Sequence, residues 1–294
     1  MKIPCSIAAL AVPLMLAGCS LFPTTRKLPV PKPPLVTQTV SAEDLVAQTN
    51  QRWQEFNGLT ATVRIEATLL KSKEGLAKDY PTIRGFIVMR KPNELRVVGQ
   101  YFSMRIFDMA SDGKTFTLLI PPQSKAIKGS TSVKKKSANQ FENLRPGFFF
   151  DAMIVRGLDP DNFYSVIADT ETIEDASKKH LVMEPEYVLS ITRHPPSSDG
   201  HRDTQVRVVT FHRDDLLPYN QDLYDSQGNL ESVVSYSSYR DFDGNKYPTK
   251  VLIKRPLEGI QILMTVEKVV KNPIFVDDQF QVKIPEGTKV QTLD

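Results

Sequence analysis

The sequence predicts a mainly β protein, built on a large antiparallel sheet, curled or closed, with α-helices covering one face. Three observations lead there. The stretch "LTATVRIEATL", Leu59 to Leu69, alternates apolar and polar residues without a break, which is the period of a strand with one face covered and one face wet. About a dozen such runs follow at short intervals, interrupted by one helix-like segment and without alternating helices, which argues against an alternating α/β fold. Only two segments have helical spacing, and both are apolar enough to lie on a sheet.

Two segments ahead of the sheet have no part in it. Met1 and Lys2 precede an apolar run, Ile3 to Ala17, that is too short to span a bilayer comfortably and reads as a secretory signal, residues 1–18. Its end, Leu16-Ala17-Gly18-Cys19, resembles the bacterial lipobox, where the cysteine thiol takes a diacylglyceryl group and the chain is cut before it. Cys5 then leaves with the signal and Cys19 is acylated, so no disulfide or cysteine metal site is expected, and no cofactor beyond the covalent lipid on Cys19. At ~0.8 kcal/mol per buried methylene, two or three acyl chains hold a protein firmly to a membrane it does not span. Ser20 stands where an aspartate retains enterobacterial lipoproteins in the inner membrane, so by resemblance the anchor belongs to the outer membrane, with the domain facing the periplasm or the cell surface. Pro23, Pro29, Pro31, Pro33 and Pro34 make residues 19–40 an extended tether of ~3 Å per residue.

Residues 41–294 read as one domain. Ser41-Ala42-Glu43-Asp44 is a capping-box signature, and Leu45, Thr49, Trp53 and Phe56 follow at helical spacing, with Gly58 as the expected stop. After the strand at 59–69, further strands are expected at 83–91, 94–99, 104–109 and 115–120, with Pro92-Asn93 and Asp112-Gly113 as hairpin turns. The second helix falls in "RPGFFFDAMIVRGL", where Phe149/Met153 and Phe150/Ile154 pair at i,i+4. Strands resume at 163–168, 180–183, 187–192, 206–211, 220–224, 230–236, 250–254 and 260–270. Residues 132–139 and 194–203 read as loops.

The stretch "RGFIVMRKPNELRVVGQYFSMRIFDMASDGKTFTLLIPPQSKAIKG", Arg84 to Gly129, resembles the LolA/LolB-like superfamily of bacterial lipoprotein carriers and receptors. The shared pattern is a strand, a turn at Lys91-Pro92, a Leu-Arg strand, a strand into Ser111-Asp112-Gly113-Lys114 and a strand ending in Pro121-Pro122. "FFFDAMIVRGL" resembles the helix that these proteins place beside the mouth of an open barrel, and "DDQFQVKIPEGTKV" resembles their ending. The resemblance implies an open half-barrel whose apolar concave side, covered by helices, holds the acyl chains of a lipid or lipoprotein. It also implies a membrane-contact loop at "GQYFS", with Phe102 at the tip and Tyr101 beside it; the alternative is that both are core aromatics of a strand that continues. The second half is longer than the receptor pattern.

Phe148, Phe149, Phe150, Met153 and Ile154 are too apolar for a solvated helix, and Pro146-Gly147 gives a sharp entry, so they read either as a lid over lipid or as a plug. Other chemistry finds little support. His180, His194, His201 and His212 lack close metal-ligand spacing, and Asp241-Phe242-Asp243-Gly244-Asn245 has Lys246 where a calcium loop needs glycine, so it reads as a hairpin turn. Ser111 to Lys114 and Ser132 to Lys135 match S-x-x-K without its partner motifs, so no enzyme is expected. Lys125, Lys128, Lys134, Lys135 and Lys136 form a basic concentration that reads as a solvated loop or a contact with anionic headgroups. A net charge of +3 is too balanced for nucleic acid. The expectation is thus a non-enzymatic outer-membrane lipoprotein that binds acyl chains. The rival is a structural scaffold lipoprotein that holds a protein partner in the cell envelope.

Overall fold

The computed structural model describes residues 26–30, 37–71, 74–132, 145–175, 177–193 and 203–293. The signal, Cys19, most of the tether, Lys134 to Lys136, His194 and His201 lie outside the described residues.

Helix α1 (Ala42–Gln54) begins as its sequence dictates: the Asp44 N–H donates to Ser41 Oγ at 3.0 Å, and acids fill the first turn while Arg52 lies in the last. Its C-cap is Glu55, so Gly58 does not end it. Gly58 instead opens the first strand, where a Cβ would run into the Met89 carbonyl oxygen and the Phe275 ring. The glycine is there because two other segments approach its backbone.

The strands are β1 (Gly58–Lys71), β2 (Leu76–Asp79), β3 (Ile83–Arg90), β4 (Glu94–Tyr101), β5 (Met104–Ser111), β6 (Thr115–Ile120) and β7 (Lys125–Ser130) before helix α2 (Pro146–Met153). After it come β8 (Asn162–Glu174), β9 (Leu181–Arg193), β10 (Thr204–His212), β11 (Pro218–Tyr224), β12 (Leu230–Phe242), β13 (Asn245–Arg255), β14 (Ile260–Lys271) and β15 (Lys289–Leu293). They form one open sheet in the order β15-β7-β6-β5-β4-β3-β1-β14-β13-β12-β11-β10-β9-β8, with β2 paired on β1 off this path. Every pairing is antiparallel except β15 on β7.

Differences from the sequence reading have local causes. The runs at 180–183 and 187–192 are one strand, β9, that passes through Pro185. The Pro185 carbonyl accepts from the Arg213 N–H on the β10 side, just beyond the last rung, Glu186↔His212, so the missing N–H breaks no rung there. The hairpin at 241–245 is as read: Asp243 and Gly244 have φ of 53° and 81°, and the Gly244 N–H donates to Asp241 Oδ1 at 2.7 Å.

The inner face of the sheet is the core. Val63, Met89, Leu95, Val97, Val251 and Met264 are fully covered by neighbours and by α2. Helix α1 covers the other half, packing Leu45 and Val46 on Tyr187, Leu189, Val209 and Phe211. On the outer face the segment 272–288 passes over β3 to β5. There it covers Asp108, which is held by Arg96 at 2.8 Å and Arg105 at 2.9 Å, and the Gln279 carbonyl accepts from Arg96 at 3.3 Å.

Candidate functional site: an apolar cavity beside an exposed hairpin tip

Within the first half of the sheet the inward side chains do not meet, and a cavity of about 500 Å³ remains. Ile65 and Ala67 of β1, Ile83 of β3, Ile106, Phe107 and Met109 of β5, and Leu118 and Ile120 of β6 form its walls, and Phe149 of α2 its floor. Alternation aims most of these residues inward, and the irregularity opposite Gly99 and Gln100, which leaves Ile106 without a rung partner, lets the consecutive Ile106 and Phe107 both reach the cavity. Gly99 has the space for none: a Cβ there would run into the Phe107 ring, so its absence lets Phe107 settle against β4. Tyr80, Tyr101 and Gln123 are the polar-tipped members of the lining, which includes no carboxylate, histidine, lysine or arginine. Such a space can bury hydrocarbon.

One end of the cavity is bounded by Tyr101, the last residue of β4. The β4–β5 turn that follows carries Phe102, 87% exposed with φ of 51°, between Tyr101 and an exposed Met104. The two rings meet edge to face at 4.7 Å. These side chains are not the core of a continuing strand. They form an apolar tip next to the mouth.

Helix α2 is fixed at its C-terminal end. The Tyr247 hydroxyl donates to the Met153 carbonyl at 2.6 Å, Gln221 Nε2 to the Asp151 carbonyl at 2.8 Å, and Arg207 to the Arg156 carbonyl at 2.8 Å. Arg156 pairs with Asp151, donates to Asn93 Oδ1 at 2.7 Å and lies 4.5 Å from the Phe150 ring centroid. At the other end Arg145 makes no side-chain cap, and its guanidinium lies 5.1 Å from the Phe116 ring centroid. Burial pushes the Tyr247 phenol well up, so it remains a donor.

The five residues of the expected lid are placed on three sides. Phe148, Phe149, Phe150 and Met153 are buried, and Ile154 is half-buried in extended backbone, past the end of the helix. Phe149 alone of them lines the apolar cavity. Phe148 and Phe150 face a polar cleft of about 760 Å³ that also holds Arg145, Arg207, Arg255 and Glu258. Met153 and Ile154 border a third space of about 400 Å³ between α1 and the β12–β13 hairpin. Trp53 packs on Phe56 and Phe150, with centroids at 5.9 and 6.4 Å, and is not part of the cavity wall. The pins Tyr247 and Gln221 escape a sequence reading because neither stands in a motif. A glutamine on the buried face of β11 is the one available hint.

Among the described residues no group of three or more His, Cys, Asp or Glu could hold a metal ion, and no helix is long and apolar enough to cross a membrane. No family model and no curated protein sequence matches the chain. Solved structures do. A LolA superfamily protein from Nitrosomonas europaea aligns over 83% of this chain and 99% of its own, at 16% identity and a TM-score of 0.51. A DUF1329 family protein from Desulfovibrio piger covers 81% and 95% at 13% identity and 0.49. A putative outer membrane lipoprotein-sorting protein domain from Vibrio parahaemolyticus covers 81% and 94% at 11% identity and 0.48. With its open antiparallel sheet, its helices on the concave side and this likeness to the LolA superfamily protein, the chain has a LolA/LolB-like fold.

Proposed function

We propose that the protein is a lipid-anchored carrier or receptor of the bacterial outer membrane, which takes the acyl chain of a lipid or lipoprotein into the cavity floored by Phe149 and passes it to or from a bilayer. The observation that carries this reading is the pairing of an apolar cavity with an exposed apolar tip at its mouth. Burying an acyl chain of a dozen methylenes there would supply ~10 kcal/mol at ~0.8 each, before the costs of binding. In this reading the tip enters a lipid surface while the mouth faces it. Cys19 would hold the chain to the membrane, Ser20 would direct it outward, and Phe148, Phe150, Met153 and Ile154 would support the floor without touching the guest. In this reading the protein works by binding and performs no covalent chemistry.

The test is native mass spectrometry of a Cys19→Ser form purified without detergent, together with displacement of a fluorescent fatty acid. Co-purified lipid, and competition by lysophospholipid, are expected. A preparation free of lipid that also fails to take up the probe would sink the carrier reading and leave the scaffold lipoprotein. Labelled palmitate fed to cells should mark the wild type and not the Cys19→Ser form.

A further inference from the structure

Strand β8 ends the sheet, and nine of its thirteen residues are exposed. It pairs with β9 over its whole length, and among the described residues no strand lies on its other side. Free edges are usually kept short, or are protected by proline, lysine or a bulge. β8 is 13 residues long, contains neither proline nor lysine, and keeps an unbroken register with β9. On the outer face it carries Phe163 and Ile167, each 59% exposed, followed by Asp169 and Glu171.

Directly opposite the two acids stand two more. The rungs Asp169↔Glu186 and Glu171↔Glu184 each pair carboxylate with carboxylate, an arrangement that works against the sheet. Glu186 is 8% exposed and its Oε2 has no hydrogen-bond partner; His212, its neighbour on β10, stacks on Tyr219 at 4.1 Å. Burial first, and then the charges of Glu171, Asp169 and Glu184, push its carboxyl up. Folding gains nothing from this concentration of charge. A cation brought from outside would offset it. The end of the same strand already accepts one from a segment that is neither helix nor strand: Arg26, in the stretch 26–30, donates to Glu174 Oε1 at 2.7 Å and to the Lys178 carbonyl at 2.9 Å.

We propose that the free edge of β8 is a docking site for an extended, basic polypeptide segment of another protein, added to the sheet as one more strand. Backbone hydrogen bonds along the edge supply affinity, and alternate side chains supply specificity. Read antiparallel to β8, the segment places lysine or arginine opposite Glu171 and Asp169, and apolar residues opposite Ile167 and Phe163. Its pattern is basic-x-basic-x-apolar-x-x-x-apolar. This surface is independent of the acyl cavity.

The experiment measures fluorescence anisotropy of a labelled peptide, Lys-Thr-Lys-Thr-Val-Thr-Thr-Thr-Val, and of its reversed sequence for parallel entry, titrated with the full chain in detergent. One of the two should bind saturably, and the same peptide with glutamate for lysine at least tenfold more weakly. The double variant Asp169→Asn, Glu171→Gln should lose tenfold or more in affinity without a lower melting temperature, since it relieves two like-charge rungs. Ile167→Lys, a charge set on the edge, should abolish binding. Equal affinity for the lysine and glutamate peptides on the wild-type protein, or no binding by either direction, would overturn the proposal whether or not the variants fold. A concentration-dependent dimer that Ile167→Lys dissociates would also overturn it, by giving the edge to a second copy of this chain.

Discussion

The Tyr247 hydroxyl and the Met153 carbonyl are 2.6 Å apart, and through this bond β13 holds the last turn of α2. A helix of eight residues has little cooperativity of its own, and its final carbonyls have no partners within it. Tyr247 and Gln221 supply two of those partners from the sheet, so the position of Phe149 depends on residues distant from it in the chain.

Tyr247→Phe removes the donor and keeps the ring. The Met153 carbonyl then loses a buried partner, and the expected cost is about 1–3 kcal/mol, read as a lower urea midpoint with an unchanged slope. An unchanged midpoint would mean that the carbonyl finds another donor and that the pin is dispensable.

Phe149→Ala and Phe150→Ala both empty buried volume, and each should cost about 3–5 kcal/mol. They should differ toward a fatty acid. The space left by Phe149 joins the apolar cavity, so affinity should change severalfold and bound ligand should restore part of the lost stability. The space left by Phe150 opens between Trp53 and Arg156, and affinity should stay within twofold of wild type. Identical ligand responses would show that the cavity does not end at Phe149.

Much of the sheet was legible because alternation is a local property. β1 and β6 could be read almost residue by residue, whereas β2, β7 and β15 could not: "LAKD" is exposed throughout, and β15 exists by parallel pairing on β7, which no local pattern encodes. The expected helix ran past Met153 because "IVRGL" continues the apolar spacing, yet Ile154 is already extended. The loop at Phe102 came from the family resemblance, with a continuing strand left open beside it; the structure has Phe102 exposed in the β4–β5 turn. The cavity was not legible. Val63 and Ile65 both point inward from β1, one fully packed and the other facing empty space, and alternation gives the direction of a side chain without telling what fills the space before it.

Glu186 gives a pH dependence of determinate sign. Its carboxyl titrates higher in the folded protein than in the unfolded chain, so the folded state binds the extra proton. This contribution to stability is complete below the ordinary glutamate range and is lost as pH rises through the raised value. Asp112 and Asp175 are held below the usual carboxylate range by hydrogen bonds and contribute in the opposite sense, so the informative quantity is the difference between wild type and Glu186→Gln. At pH 7 the variant should be more stable by about 0.5–1 kcal/mol, the scale of a cross-strand pair, and the gain should shrink toward pH 4. A gain that stayed constant with pH would assign it to packing and not to charge.

The tip allows function to be separated from folding. Phe102 sits at φ of 51°, in the left-handed region, where a side chain costs roughly 1–2 kcal/mol, and its ring packs on little besides Tyr101. Glycine relieves that strain and gives back about 0.5–1 kcal/mol through the greater freedom of the unfolded chain. Phe102→Gly should therefore leave the melting temperature unchanged or slightly higher. If the tip enters lipid, the same substitution removes an aromatic ring from the membrane contact, so flotation of the Cys19→Ser form with liposomes should fall severalfold. Uptake of a fatty acid free in solution should hardly change, because Phe102 is not in the cavity wall. A lower melting temperature would make Phe102 a structural residue. Unchanged flotation with unchanged stability would take the tip out of membrane contact and leave its strained, exposed phenylalanine to be explained by a protein partner.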